Sequence, residues 1–152
     1  MVAFDVGERR IGVAVSDATL TLARPVGVLR PTSLETDGLR LAAAEITRLA
    51  NEEDGVTTIV VGLPRRLDGS ATVMTARVSA FATELGRITR LPVVLQDERL
   101  TSREAESRLA ITEKDWRLRK RRLDAAAAAI ILQDYLDTQR RPSASLAAEP
   151  EL

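Results

Sequence analysis

The stretch Val2-Ala3-Phe4-Asp5-Val6-Gly7 opens the chain with an apolar, strand-like run that a single carboxylate interrupts. An ionised carboxylate in apolar surroundings is unfavourable by several kcal/mol or more unless it is paired, hydrogen-bonded or bound to a cation. A second alternating apolar segment, from Ile11 to Ser16, follows after a short turn and predicts a β-hairpin with Asp5 near its middle. Asp5 is therefore either a hydrogen-bonded structural acid or a ligand, and this stretch alone favours neither interpretation.

The composition excludes several kinds of active site. The 152 residues contain neither cysteine nor histidine, which excludes thiol nucleophiles, Cys/His zinc sites and imidazole general bases. Twenty-two basic residues balance 22 acidic ones, so affinity for nucleic acid would have to come from local clusters of charge. No apolar run approaches a membrane span and no signal pattern is present, which predicts a cytoplasmic protein without a membrane partner.

The length and the pattern of apolar residues predict one α/β domain over residues 1–138, followed by a disordered tail over 139–152. The strands predicted after the hairpin are 23–29, 57–62 and 92–97, and the predicted helices are 34–53, 71–87, one that begins at Thr101, and 123–137. The order β-β-β-α-β-α-β-α-α indicates a five-stranded mixed sheet. Its first three strands should be antiparallel and its last two parallel, because helical crossovers join parallel strands.

Three acids from separated parts of the chain are expected to meet at one edge of this sheet. Asp5 lies on the first strand, Glu98 follows the fifth strand, and Asp124 opens the last helix. Asp124 shares a helical stripe with Ala128 and Ile131, and small alanines let a helix lie close to a sheet. Ligands gather at the carboxyl ends of parallel strands, so the three carboxylates can converge there. Oxygen ligands without imidazole suit Mg²⁺ or Mn²⁺, and two such ions about 3.5 to 4 Å apart would support phosphodiester cleavage.

Each acid also has a purely structural interpretation. Asp5 could accept hydrogen bonds from the hairpin backbone. Glu98 could form a surface ion pair with Arg99 or Arg103, which would contribute about 0 to 1 kcal/mol. Asp124 could be a first-turn acid that the helix dipole favours. Taken singly, the last two acids fit these interpretations better, and only the three together favour a metal site.

Basic residues and two glycine-containing turns surround these acids in the sequence. Segment 111–122 carries six Lys or Arg residues against two acids, with Trp116 inside it, and is interpreted as a basic flexible loop. A run of arginines is more often a solvated surface than a nucleic-acid contact. The segments Gly62-Leu63-Pro64 and Asp68-Gly69 are interpreted mainly as turns, with contact to the substrate as the lesser alternative. The residues predicted to bind nucleic acid are Arg9, Arg10, Arg65, Arg66, Arg99, Arg117, Arg119, Lys120, Arg121 and Arg122.

Four blocks of sequence, in order, resemble the signatures of the YqgF (RuvX) family. They are Asp5-Val6-Gly7 with Arg10-Ile11-Gly12-Val13-Ala14, Val60-Val61-Gly62-Leu63-Pro64 with Asp68-Gly69-Ser70, Asp97-Glu98-Arg99-Leu100-Thr101, and Leu123-Asp124-Ala125 with Ile131-Leu132-Gln133. The resemblance covers about residues 1 to 138. It implies an RNase H-like three-layer fold related to RuvC-type Holliday junction resolvases, with a divalent-metal nuclease site at Asp5, Glu98 and Asp124. The family commonly has a glycine in the basic segment before the helix aspartate, and residues 120–123 have none.

The resemblance implies an endonuclease that acts on structured nucleic acid, either in 5′ processing of pre-16S rRNA or on four-way DNA junctions. Two other functions stay open: a non-catalytic rRNA-binding module that uses the basic segment and Trp116, and an actin-like ATPase, which would need a second such domain. The sequence does not decide between RNA and DNA, because phosphate-binding arginines carry no such preference. A junction resolvase would act as a two-fold homodimer, whereas a ribonuclease could act as a monomer.

Overall fold

The computed structural model describes residues 1–52, 55–98 and 116–140, the last range with side chains from 125 to 139. The strands are β1 (Val2–Val6), β2 (Ile11–Ser16), β3 (Ala23–Leu29), β4 (Ile59–Leu63) and β5 (Val93–Asp97), and the helices are α1 (Leu39–Glu52), α2 (Val73–Thr89) and α3 (Trp116–Arg140). Within these ranges, every helix is too short or too polar to cross a membrane.

The five strands of the described ranges form one mixed sheet in the order β3-β2-β1-β4-β5. The pairs β1/β2 and β2/β3 are antiparallel, whereas β1/β4 and β4/β5 are parallel. Strand β4 is buried at every position, as expected for a parallel strand that is covered on both faces. The predicted α/β fold, with its three antiparallel and two parallel strands, is confirmed.

Helices cover both faces of the sheet, because side chains alternate along each strand. Phe4 and Val6 of β1 belong to the core that packs against α1 and α2. Ala3, which precedes Phe4, faces the opposite side of the sheet and packs with Ala128 and Ile131 of α3. The face under α3 is lined by small residues, so this helix lies close to the centre of the sheet.

The amide of Gln133 fixes α3 to the connection between β2 and β3. Its Nε2 donates to the carbonyl of Thr21 at 2.9 Å, and its Oε1 accepts from the backbone N–H of Ala23 at 2.9 Å. Both bonds join the middle of the helix to backbone more than 100 residues earlier in the chain. They define which stripe of α3 faces the sheet.

The structure corrects the interpretation of the basic segment. Helix α3 begins at Trp116, about two turns before the predicted start at Leu123, so residues 116–122 are helical and are not a flexible loop. Residues 116–122 contain no glycine or proline, and Arg, Lys and Leu are good helix formers, so high charge was mistaken for loop character. The predicted loop residues 111–115 and the helix predicted from Thr101 lie outside the described residues.

The ends of the other elements need smaller corrections. Asp124 lies more than two turns inside α3, so the interpretation as a first-turn acid is wrong. Residues 139 and 140 belong to α3 and not to the predicted tail, whose residues 141–152 lie outside the described ranges. The first predicted helix begins as a π-helical turn, Leu34–Gly38, before α1. Other boundaries differ from prediction by at most two residues, a common uncertainty at helix and strand ends.

Candidate active site

Asp5 is flanked on both sides by glycines in the neighbouring strands. The antiparallel register places Gly12 of β2 opposite Asp5. The parallel register pairs Phe4 with Val61 of β4, which places Gly62 on the other side of Asp5. Alternation along β1 directs the Asp5 side chain to the face that α3 covers. The carboxylate therefore lies at the carboxyl end of β1 between two positions that have no side chain.

Glu98 follows β5 directly, and its side chain reaches Asp5. The backbone N–H of Glu98 donates to the carbonyl of Leu63, the last residue of β4, at 3.2 Å. This bond continues the parallel ladder by one residue beyond Asp97. The carboxyl groups of Glu98 and Asp5 are hydrogen-bonded to each other. Two of the three acids singled out in the sequence thus meet, although β4 separates their strands.

The side chain of Glu98 occupies the space above Gly62. A Cβ at Gly62 would lie 2.5 Å from Cδ1 of Ile131 and closer still to Oε2 of Glu98, whereas real Cβ atoms essentially never approach within 3.0 Å. The volume that any other residue at position 62 would need is therefore filled by the carboxylate and by α3. A glycine inside a strand often marks such a close approach.

The sequence analysis does not predict the role of Gly62 in this site. It places Gly62 at the end of the strand 57–62 and at the start of a turn, whereas the strand continues to Leu63, so Gly62 lies inside β4. The usable signal was an isolated glycine in a β-branched, otherwise apolar strand, which indicates a bulge or a close approach.

Burial, together with the facing carboxylate of Asp5, raises the pKa of Glu98 to about 8, and Asp97 adds to the shift. Two carboxylates this close cannot both ionise without a cation, so one proton stays with the pair at neutral pH. A cation could replace that proton. The chemistry of the site therefore fits a hard divalent ion, which prefers carboxylate oxygens.

Asp124 lies on the stripe of α3 that faces the sheet, two turns before Ile131 and one turn before Ala128. Ile131 reaches Gly62, and Gln133 reaches Ala23 at the opposite edge of the sheet. The helix therefore runs away from the acid pair as the chain proceeds. Its backbone places Asp124 toward the edge that holds Asp5, while its side chain lies outside the described residues.

Of the three predicted acids, only Asp5 and Glu98 have side chains that the structure describes. Among the described side chains, no group of three His, Cys, Asp or Glu residues is placed to hold a metal ion. Asp5 and Glu98 form a pair, and the third candidate is Asp124, whose side chain is not part of that description. A complete three-carboxylate site remains a prediction.

Four of the predicted nucleic-acid-binding arginines lie in loops at the same edge as the acid pair. Arg9 and Arg10 are exposed in the turn after β1, and Arg65 and Arg66 are exposed in the loop after β4. Glu98 leaves the sheet at this edge too. Residues 117 and 119–122 lie in the first two turns of α3, without described side chains, and Arg99 lies outside the described ranges. Positive charge therefore borders the two acids on at least two loops.

The raised pKa of Glu98 predicts that the metal-free protein becomes less stable as the pH rises. Below about pH 4.5 this group is protonated in both states; between about pH 4.5 and 8 only the folded state keeps the proton, so stability falls with pH across that window. Urea unfolding in chelator should show a loss of about 1 to 3 kcal/mol between pH 5 and pH 8. Glu98→Gln should flatten this slope, and an equal slope in both proteins would contradict the assignment.

Comparison with known proteins gives a consistent family assignment. The family model described as "RuvX: Holliday junction resolvase" matches residues 1–138. A protein of Anaeromyxobacter sp. (strain Fw109-5), named "Putative pre-16S rRNA nuclease", is 45% identical over 133 residues, which cover 88% of this chain and 93% of that protein. A protein of the same name from Chloroflexus aggregans is 41% identical over 138 residues, covering 91% and 93% of the two chains.

Solved structures share the fold at low sequence identity. The Fowlpox virus resolvase, solved with substrate Holliday junction DNA, has a TM-score of 0.54 at 11% identity and covers 93% of this chain and 100% of its own. RuvC of T. thermophilus in complex with Holliday junction substrate has a TM-score of 0.50 at 15% identity, with 91% and 95% covered. These likenesses show a resolvase-type, RNase H-like fold, as predicted.

Proposed function

The chain belongs to the RuvX family, and we propose that it is a divalent-metal-dependent endonuclease that hydrolyses phosphodiester bonds in structured nucleic acid. The observation that carries this proposal is the Asp5–Glu98 pair, two carboxyl groups hydrogen-bonded at the edge where the parallel strands end. We infer that the reaction is 5′ processing of pre-16S rRNA. The inference is supported by relatives at 41 to 45% identity that are named "Putative pre-16S rRNA nuclease", a name that gives the substrate and not the position of the cut. Such a role would place the protein in the cytoplasm.

The metal site would be formed by the carboxylates of Asp5, Glu98 and Asp124. When bound there, two Mg²⁺ or Mn²⁺ ions would activate a water and stabilise the leaving oxygen of the cleaved bond. Ligands must be deprotonated, so Glu98 has to release its proton when a cation is bound, and affinity should rise with pH up to about 8.

The remaining residues of the site position these groups. Gly62 leaves room for Glu98 to reach Asp5, and Ile131 packs against the same space from α3. Strand β1 is paired with a strand on each side, so Asp5 is mounted on an interior strand of the sheet. Holding ligands on rigid elements keeps them within reach of the same cation without rearrangement.

Arginines of the two bordering loops are proposed to hold phosphates. The variant Arg9→Gln/Arg66→Gln removes one guanidinium from each loop. The slope of log binding constant against log salt concentration should fall by about 1 for each lost phosphate contact. Filter binding between about 50 and 200 mM salt would measure it. Arg87→Gln, at the far end of α2, is the matched control; an unchanged slope in the double variant would count against these loops.

The substrate is tested with matched panels: a pre-16S rRNA fragment that retains its 5′ extension and a four-way DNA junction, each with Mg²⁺ and with Mn²⁺. Metal-dependent cleavage of the rRNA fragment at a defined position is the expected result. Binding that falls steeply with salt and gives no product with either substrate would favour the non-catalytic binding module instead.

A junction resolvase is the second candidate, favoured by the description of the matching family model and by the fold. Resolution requires two nicks placed symmetrically, so this function would need a two-fold homodimer with two acid sites. Paired cleavage of the junction, with a dimer in solution by light scattering, would select it over rRNA processing.

A further inference from the structure

The loop between β4 and α2 contains a tight, internally bonded turn at its middle. The N–H of Gly69 donates to the carbonyl of Arg66 at 2.8 Å, which closes a β-turn with Leu67 and Asp68 at its central positions. The Asp68 carboxylate accepts from the N–H and the hydroxyl of Ser70 at 2.8 and 2.6 Å. The N–H of Arg66 donates to the Ser70 carbonyl at 2.9 Å. These bonds fix the backbone on both sides of Leu67.

The same loop is anchored to the elements that flank it. The hydroxyl of Thr75 in α2 donates to the carbonyl of Pro64, directly after β4, at 2.5 Å. Thr72 and Thr75 form a capping box at the start of α2. The guanidinium of Arg65 donates to the carbonyl of Gly69 at 3.1 Å. The turn is therefore held in one position relative to the sheet edge that carries the acids.

Leu67 stands at the tip of this fixed turn with 71% of its surface exposed. A single exposed leucine is ordinary on a protein surface. The position of Leu67 is the informative feature, because it directly follows Arg65 and Arg66 at the edge that holds Asp5 and Glu98. An exposed leucine next to two arginines fits nucleic acid, which has both negative phosphates and apolar base faces. An apolar protein surface would offer no partner for the two guanidinium groups.

We propose that Leu67 is an apolar wedge that contacts unstacked bases of the nucleic-acid substrate beside the cleavage site, while Arg65 and Arg66 hold the adjoining phosphates. Leucine is among the side chains that proteins insert between base steps, where new contacts offset the loss of stacking. A turn that is already fixed loses little conformational entropy when it inserts. This proposal rests on the proposed nuclease function, because it requires a nucleic acid at this edge.

The test uses two probes, a four-way DNA junction and a pre-16S rRNA stem, each with 2-aminopurine next to the branch point or stem end. Binding is measured with Ca²⁺ in place of Mg²⁺. The wild-type protein should raise the fluorescence of at least one probe, because unstacked 2-aminopurine is brighter. Leu67→Ser should remove most of this rise and weaken binding about fivefold, the low end for one base contact. The slope of log binding constant against log salt concentration should be the same for Leu67→Ser as for the wild type. Leu67→Phe, which keeps a large apolar side chain, should show the same rise in fluorescence as the wild type.

Leu22→Ser is the matched control, since Leu22 is 64% exposed and lies in the turn after β2, at the opposite edge of the sheet. It should behave as the wild type, and both serine variants should keep the wild-type Tm. Unchanged fluorescence and affinity in Leu67→Ser would overturn the wedge alone, leaving this surface to a protein partner. A smaller slope of log binding constant against log salt concentration for Leu67→Ser would also overturn the wedge, because it would mean that phosphate contacts were lost. If the wild type binds neither probe, the nuclease proposal fails together with the wedge.

Discussion

Asp5→Asn is expected to lower metal-dependent cleavage by about 10³-fold or more while the protein stays folded and keeps its affinity for nucleic acid. A lost carboxylate ligand removes several kcal/mol of charge stabilisation, and each 1.36 kcal/mol is about a factor of ten in rate. Asparagine has nearly the same shape, so the sheet is not disturbed. The substitution also removes the negative charge that faces Glu98, so the metal-free protein should not lose stability.

Single-turnover cleavage with Mg²⁺ and with Mn²⁺, together with urea unfolding, measures both parts of this expectation. Asp17→Asn is a matched control at the opposite edge of the sheet. The Asp17 carboxylate accepts backbone hydrogen bonds from Thr21 and Leu22, which lower its pKa, so this variant should lose some stability and keep its cleavage rate. Cleavage by Asp5→Asn at more than a tenth of the wild-type rate would remove Asp5 from the mechanism.

Gly62→Ala should give the second large effect, a loss of about 10²-fold in cleavage rate. The new methyl group would collide with Oε2 of Glu98 and with Cδ1 of Ile131. Glu98 would have to move away from Asp5, and a misplacement of about 1 Å can cost about 10²-fold in rate. Both atoms stand at the ends of flexible side chains that can move aside, so the free energy of unfolding should change far less than the cleavage rate.

The matched control is Gly27→Ala on β3, where an added Cβ meets nothing within 4 Å. Both variants make the same chemical change in a strand, so their difference isolates the collision with Glu98. Cleavage rates and unfolding free energies of the two variants should be compared in one series. Full activity in Gly62→Ala would mean that Glu98 does not need the position it has here.

The sheet and the meeting of two acids could be predicted because they follow from general rules. Strand order and direction come from the order of apolar segments and from the crossover rule. Asp5 and Glu98 were expected to approach each other because both stand where parallel strands end. Neither inference requires atomic detail, which is why one sequence was enough.

The parts that could not be predicted depend on packing between distant elements. The role of Gly62 depends on Ile131 and Glu98, which arrive from other parts of the chain, and strand propensity says nothing about them. The start of α3 was placed too late because a dense run of positive charge resembles a solvated loop. That error also made Asp124 a first-turn residue, although it lies well inside the helix.

Asp5, Glu98 and Asp124 are proposed to hold a divalent cation together. The most direct measurement is an anomalous difference map from crystals soaked in Mn²⁺ at about pH 8, where Glu98 can give up its proton. The expected result is an anomalous peak within coordination distance of carboxylate oxygens of all three residues. In that structure Asp5 and Glu98 would bind the metal and would no longer be hydrogen-bonded to each other. A map without a peak at this position, with that hydrogen bond intact, would contradict the proposal.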